Sequence, residues 1–254
     1  MQNTKLIRYR LGRQVDYGLL AEGDIFRLPS GPWQALHPGE RLAALDDVQL
    51  LAPCLPSKIV AVGRNYAAHA AEFGHDLPAE PLIFLKPPSS VIGPGAAIVY
   101  PRHLSQRVDY EAELAVIVGR RARHIRADQA HAYIRGYTCA YDVTARDLQQ
   151  RDEQWNRSKG FDTFCPLGPW IVPGLDVSDL AIRCRVNGEL QQEGHTRDLI
   201  FDVSQLMAYV TAVMTLEPGD VLLTGTPAGV GPLRPGDRVA VEIEGLGTLE
   251  NEVV

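Results

Sequence analysis

Beyond residue 53 the chain is a succession of short β-branched and apolar runs punctuated by glycine and proline, with only one long segment of helical period. Lys58 to Val62, Leu82 to Leu85, Glu113 to Val118, Gly136 to Asp142, Ile182 to Val186 and Val221 to Thr224 have the composition of strands. Arg238 to Glu244 and Thr248 to Val253 flank Gly245-Leu246-Gly247, a hairpin pattern. Val203, Leu206, Met207, Val210 and Met214 share one helical face, in a segment that stops at Glu217-Pro218-Gly219-Asp220. A weaker helical pattern runs from Asp128 to Ile134, and Ala67 to Phe73 reads as a short turn. The expected fold class is α+β, mostly β.

The first fifty residues alternate short apolar runs with turn formers. Tyr17-Gly18-Leu19-Leu20-Ala21-Glu22-Gly23-Asp24-Ile25-Phe26-Arg27-Leu28 predicts a hairpin turning near Glu22 to Asp24. Leu51-Ala52-Pro53-Cys54-Leu55-Pro56-Ser57 contains two prolines that resist both helix and central strand, so it reads as a linker. The predicted organisation is a small β-rich cap over residues 1–52 and a core domain over 53–254.

A chain of 254 residues can bury a large apolar interior without covalent staples. Cys54, Cys139, Cys165 and Cys184 lie far apart with no CxxC pair, so they are expected to be reduced and mostly buried. Lys5, Arg8, Arg10 and Arg13 precede no apolar core of signal-peptide length, and no run of about 18 apolar residues follows. A cytoplasmic, soluble protein is expected. The net charge of −6, with both signs interspersed, gives no electrostatic footprint for nucleic acid or an anionic membrane. The expected partner is a small molecule.

In Asp109-Tyr110-Glu111-Ala112-Glu113-Leu114-Ala115-Val116-Ile117-Val118 the two glutamates are two apart at the start of a strand pattern, so both point to one face. The same spacing recurs at Glu242 with Glu244 and at Glu250 with Glu252, in the terminal hairpin, where solvated faces are expected. What sets the first pair apart is Asp142, in Tyr141-Asp142-Val143-Thr144-Ala145-Arg146-Asp147, an acid placed where an apolar strand breaks into a loop. Oxygen ligands without histidine or thiolate suit a hard ion, Mg2+ or Mn2+ rather than zinc, with Ca2+ also compatible. If the three carboxylates converge, each pair at about 4 Å repels by roughly 4 kcal/mol at an effective dielectric near 20. A cation, or protonation of one acid, would then be required.

Six ordered segments resemble the fumarylacetoacetate hydrolase family from about Pro53 to the carboxyl terminus. They are Val62-Gly63-Arg64-Asn65-Tyr66-Ala67-Ala68-His69, Phe84-Leu85-Lys86-Pro87, Asp109 to Leu114, Asp142-Val143-Thr144-Ala145-Arg146-Asp147-Leu148-Gln149, Lys159 to Pro169, and Leu223-Thr224-Gly225-Thr226-Pro227-Ala228-Gly229-Val230-Gly231. The resemblance implies a mixed β-sandwich roll of that family's C-terminal type as the catalytic domain, behind a small amino-terminal cap. It implies a metal held by Glu111, Glu113 and Asp142, with a 2-oxo acid chelating the open positions. Lys159 would contact the substrate near the metal, and His69 with Glu72 would activate water. Arg64, Tyr66, Lys86, Gln149 and Thr226 would bind substrate, Thr226 as a donor to its carboxylate, while Asp109, Arg146 and Asp147 would hold loops. Glu72-Phe73-Gly74-His75-Asp76-Leu77-Pro78 reads as a lid with His75 exposed. A homodimer is also implied.

The glycine-rich stretch Gly225 to Gly231 has neither the GK[ST] of a P-loop nor a GxGxxG, which argues against a nucleotide loop. The family's shared step is an enolate on a 2-oxo acid. Three outcomes follow from it: carbon-carbon hydrolysis of an acylpyruvate, isomerisation of a 2-hydroxyhepta-2,4-diene-1,7-dioate, or decarboxylation of oxaloacetate. A catalytically silent metal- or ligand-binding protein is the rival of another class. Intact Lys159, His69 and Glu72 argue against it.

Overall fold

Along the strand Ala112–Val118 the side chains alternate between two apolar interiors: Leu114, Val116 and Val118 enter one, Ala115 and Ile117 the other. Ile59–Gly63 does the same, with Val60 and Val62 opposed to Ile59 and Ala61. A strand covered on both faces needs a near-continuous apolar run, which is why these segments read so clearly in the sequence. Each fully buried valine, leucine or isoleucine there contributes about 1.5–3 kcal/mol through removal from water.

The structure, a computed structural model, describes residues 4–72, 74 and 76–254. Its largest sheet runs in the order Arg41–Ala44, Asp24–Arg27, Gln14–Ala21, Lys5–Leu11, Cys165–Val172, Ile134–Tyr141, Ala112–Val118, Val221–Leu223, Ile59–Gly63 and Leu82–Lys86. A second sheet contains Glu189–His195, Ala181–Val186, Arg238–Ile243, Gly247–Val253 and Ala97–Ile98. The principal core fills the space between them, with Ile182, Val239, Val241 and Leu249 from the second sheet meeting Leu114, Val116, Cys139 and Tyr141 from the first. A short third sheet joins Thr144–Ala145, Val108–Tyr110 and Gly231–Leu233. The architecture is mostly β, in several sheets and without a closed barrel, in agreement with the expected class.

The amino-terminal strands extend the largest sheet, because Leu6 of Lys5–Leu11 pairs with Ile171. The expected turn at Glu22 to Asp24 closes the hairpin of Gln14–Ala21 and Asp24–Arg27, with Glu22 at φ 52° and Gly23 at φ 87°. The helix Val203–Val213 buries Val203, Leu206, Met207 and Val210 as its spacing required. It starts at a capping box of Asp202 and Gln205 and ends four residues before Glu217, because Met214 is already extended. The weak pattern at Asp128 to Ile134 is a 3-10 helix, Ala127–Tyr133, and the turn at Ala67 is a six-residue α-helix, Ala67–Glu72. Two short helices, Arg146–Arg151 and Asn156–Lys159, and two strands, Cys165–Val172 and Glu189–His195, were not anticipated. All four cysteines are buried and free of disulfides. Burial pushes the thiols of Cys139, Cys165 and Cys184 up to about 12, so they stay protonated and inert. No helix among the described residues is long and apolar enough to cross a membrane.

The segment read as a linker is fastened to the core by Asp220. Its Oδ1 accepts from the Ser57 N–H (2.9 Å), the Ser57 hydroxyl (2.7 Å) and the Lys58 N–H (3.1 Å), and its Oδ2 from Lys58 Nζ (2.5 Å) and the Glu217 N–H (2.8 Å). Burial alone would raise this carboxyl, but the Glu217 N–H, Lys58 and Ser57 outweigh it and hold the pKa below 3.8. A depressed folded pKa stabilises the fold above the unfolded value, and that contribution is lost as pH falls through the folded one. Asp220→Ala is therefore expected to cost about 3 kcal/mol near neutral pH. In urea denaturation the gap from wild type should close below the ordinary carboxylate range. A gap that stays constant to pH 2 would refute this assignment.

Candidate active site

Antiparallel register assembles the acids. Ala112 pairs with Tyr141 and Glu113 with Ala140, so continuing the ladder by one step sets Glu111 opposite Asp142, whose N–H donates to the Glu111 carbonyl at 2.9 Å. On the other side Ala115 pairs with Leu223, and the same count brings Gly225 opposite Glu113. The Gly225 N–H donates to Glu113 Oε2 at 2.7 Å. Oxygens of Glu111, Glu113 and Asp142 all lie within 4.8 Å of one another, and all three residues are buried. The solvated readings of Glu242 with Glu244 and Glu250 with Glu252 also hold, since all four are exposed.

Three buried cations answer these charges. Lys159 Nζ donates to Glu111 Oε2 (2.8 Å) and Asp142 Oδ2 (2.5 Å), Lys86 Nζ to Asp142 Oδ1 (2.5 Å), and Arg146 to Glu111 Oε1 (2.5 Å) and Asp109 Oδ2 (2.8 Å). Burial pushes the Glu111 carboxyl up, but Lys159 and Arg146 prevail and hold it well below the usual range. Burial likewise opposes charge on Lys159, yet Asp142 and Glu111 raise its pKa and keep it an ammonium. Glu113 differs: burial, then Asp142 and Glu111, push it well above the usual range. The Gly225 N–H, which donates to Glu113, and the nearby Lys159 charge oppose that rise without overcoming it.

The acids floor a cleft of about 490 Å3 of space free of protein, bounded also by Arg64, His69, Arg146, Gln149, Trp155, Lys159 and Thr226. Arg64 stands at φ 58°, a costly conformation for a residue with a Cβ, and its guanidinium lies 6.0 Å from the Trp155 ring centroid. His69, on Ala67–Glu72, has Nδ1 3.1 Å from Glu72 Oε2, and the Glu72 carboxylate also accepts from the Gly229 N–H at 3.2 Å. Gln149 accepts from Arg146 at 2.5 Å.

Over residues 58–254 the chain matches the model described as Fumarylacetoacetate (FAA) hydrolase C-terminal, and over 4–53 one described as Rv2993c-like, N-terminal. The chain belongs to the fumarylacetoacetate hydrolase family. It is 48% identical over 221 residues to a mitochondrial oxaloacetate tautomerase of Homo sapiens, spanning 82% of this chain and 70% of that protein. The structure of a 5-carboxymethyl-2-hydroxymuconate delta-isomerase from Mycobacterium smegmatis superposes with a TM-score of 0.92 at 45% identity, covering 98% of this chain and 99% of that one. A fumarylpyruvate hydrolase from Pseudomonas aeruginosa, in complex with Mn2+ and pyruvate, superposes with a TM-score of 0.75 at 35% identity, covering 81% and 91%. The chain is thus an enzyme of a family whose members here include tautomerase, isomerase and hydrolase.

The residues present fit a divalent ion such as the Mn2+ in the structure of the Pseudomonas aeruginosa relative. The donor set is three carboxylates without histidine or thiolate, as a hard ion requires, and their mutual repulsion is greatest at Glu113, which burial and the other two acids push up. Of the substrate-binding residues expected, Arg64, Gln149 and Thr226 reach the cleft wall, whereas Lys86 is absent from it and donates to Asp142 and the Val143 carbonyl. Tyr66 is buried beside Glu113 and off the wall, its hydroxyl raised by burial and then by Glu113, and without a hydrogen-bond partner. Asp109 and Asp147 hold loops as expected. Arg146 does so too, but it also grips Glu111 and lines the cleft. Trp155, on the cleft wall, had no sequence signal. The lid stretch includes Phe73 and His75, so the expectation for His75 lies outside the described residues.

Proposed function

We propose that this protein is a divalent-metal-dependent enzyme that stabilises the enolate of a 2-oxo acid and hydrolyses a carbon-carbon bond of an acylpyruvate or related dioxo acid. The observation that carries the reading is the convergence of three buried carboxylates within 4.8 Å, two of them held by Lys159, on the floor of an open cleft. Glu111, Glu113 and Asp142 would hold Mg2+ or Mn2+, and the relative with Mn2+ and pyruvate supports that choice. Bound there, the ion supplies positive charge against the oxygen on which an enolate's charge develops.

The chain's own residues supply the rest. Lys159 has three N–H donors and spends two on Glu111 and Asp142, which leaves one for a substrate oxygen at the cleft floor. Arg146 adds a second fixed positive charge on the wall. His69 takes the proton of the attacking water, and Glu72 orients the imidazole and balances its charge. As the bond breaks, its electron pair passes to the pyruvyl fragment, whose enolate is then protonated at carbon.

A second reading, proton transfer alone as in a tautomerase or isomerase, is favoured by the higher identity to the tautomerase (48%) and isomerase (45%) than to the hydrolase (35%). Oxaloacetate decarboxylation reaches the same enolate by losing carbon dioxide. A panel of acylpyruvate, hydroxydienedioate and oxaloacetate with Mg2+, followed by pyruvate release and enol absorbance, distinguishes these outcomes. No activity on any member would end the enzymatic proposal. His69→Ala is expected to lower acylpyruvate hydrolysis by roughly a hundredfold or more while sparing oxaloacetate decarboxylation, which requires no activated water. Equal damage to both reactions would show that His69 positions substrate instead.

A further inference from the structure

Beneath the loop that carries Thr226 lies Gln192, on Glu189–His195, 1% exposed and absent from the cleft wall. Its amide makes three hydrogen bonds. Oε1 accepts from the Ala112 N–H at 3.0 Å, and Nε2 donates at 2.8 Å both to the Pro227 carbonyl and to Thr226 Oγ1. This amide cannot be turned over. The Ala112 N–H only donates and the Pro227 carbonyl only accepts, so the reverse orientation would set donor against donor and acceptor against acceptor.

The fixed amide dictates the role of Thr226. Since Nε2 faces it, Thr226 Oγ1 must accept that hydrogen bond, and its single proton must go elsewhere. Among the described residues no protein acceptor is recorded for that proton, and Thr226 lines the cleft. The loop has little freedom to relieve the arrangement. A Cβ on Gly194 would stand 2.6 Å from Pro227 Cβ, and one on Gly229 2.4 Å from the Gln191 carbonyl, so strand and loop are pressed together at two glycines.

We propose that Gln192 is a positioning residue that locks the Thr226 hydroxyl as a donor into the cleft, where it receives an acceptor-only group, the carboxylate of a 2-oxo acid. The proposal rests on the 2-oxo acid reading of the cleft given above. Gln192 also ties this donor to Ala112, the residue between Glu111 and Glu113, so carboxylate recognition and the acid cluster share one frame.

The test is calorimetric titration of pyruvate into Mn2+-loaded protein, for wild type, Gln192→Met, Thr226→Val and the double variant. Loss of an oriented hydrogen bond to a charged group weakens pyruvate by roughly ten- to hundredfold in each single variant. With the hydroxyl gone its orientation no longer matters, so the double variant binds within about twofold of Thr226→Val. An unchanged Gln192→Met, or equal losses in both backgrounds, overturns the proposal. A parallel loss of Mn2+ affinity overturns it too, by placing the role of Gln192 at Ala112. Should the methionine variant fail to fold, Gln192→Glu keeps the bond to Ala112 and offers Thr226 an acceptor. Its loss must then be larger in the wild-type background than in Thr226→Val. If the Mn2+-loaded wild type binds no pyruvate at all, the 2-oxo acid reading falls and this proposal with it, whereas equal losses in both backgrounds overturn this proposal alone.

Discussion

Replacing Lys159 with alanine is expected to lower turnover on every active substrate by roughly a hundredfold to a thousandfold, the loss associated with one donor placed where charge develops. Lys159 is 2% exposed and kept cationic by Asp142 and Glu111, so its charge acts in surroundings that screen it weakly. Hydrolysis, isomerisation and decarboxylation share the enolate, and the loss should be similar for all three. Measuring kcat on each member of the substrate panel checks this, with Mn2+ affinity determined in parallel. A loss confined to one reaction, or a kcat within about threefold of wild type, would remove Lys159 from the common step.

Asp142→Ala should have the largest effect of all. The substitution removes one of the three acids, and it also strips two buried ammonium groups, Lys86 and Lys159, of a partner each held at 2.5 Å. Metal affinity should fall by more than the roughly ten- to hundredfold that losing a ligand's hydrogen-bond partner costs. Stability without metal should fall by about 3–5 kcal/mol, because breaking a buried ion pair leaves uncompensated charge. Wild type should gain melting temperature on Mn2+ titration, through preferential binding to the folded state, and the variant should not. An Asp142→Ala protein that binds Mn2+ as tightly as wild type would eliminate the proposed ligand set.

The acids were legible because each sits at a place where sequence pattern and geometry coincide. Glu111 and Glu113 have the two-residue period of a strand, and Asp142 marks the end of the apolar run Gly136 to Tyr141 that the register lays beside them. Gln192 was invisible for the opposite reason. Its strand reads Glu-Leu-Gln-Gln-Glu-Gly-His, polar at nearly every position, because the strand lies at the edge of the second sheet with Glu189, Leu190, Gln191 and Glu193 exposed. Cys165–Val172 was missed because Pro166, Gly168 and Pro169 interrupt the β signal inside a strand that nonetheless pairs on two sides. Arg146–Arg151 and Asn156–Lys159, six and four residues long, are too short to show a helical period. Gln149 was placed in the cleft only through the family resemblance, Arg146 was expected to hold a loop, and Trp155, just before the second helix, had no signal at all.

The ladder that places Glu111 against Asp142 and Glu113 against Gly225 also sets where this chain can gain or lose residues. Residues 119–133, between the strands Ala112–Val118 and Ile134–Tyr141, form a surface connection containing a 3-10 helix and supply none of the three acids. An insertion there changes the length of a loop and leaves the pairing count intact. A single residue added between Glu113 and Val116 changes that count itself: Glu113 rotates to the opposite face of the sheet, into the apolar interior occupied by Leu114 and Val116, and the three acids no longer converge. Length variation among descendants of this chain should accordingly collect in the connection and be absent from the strand.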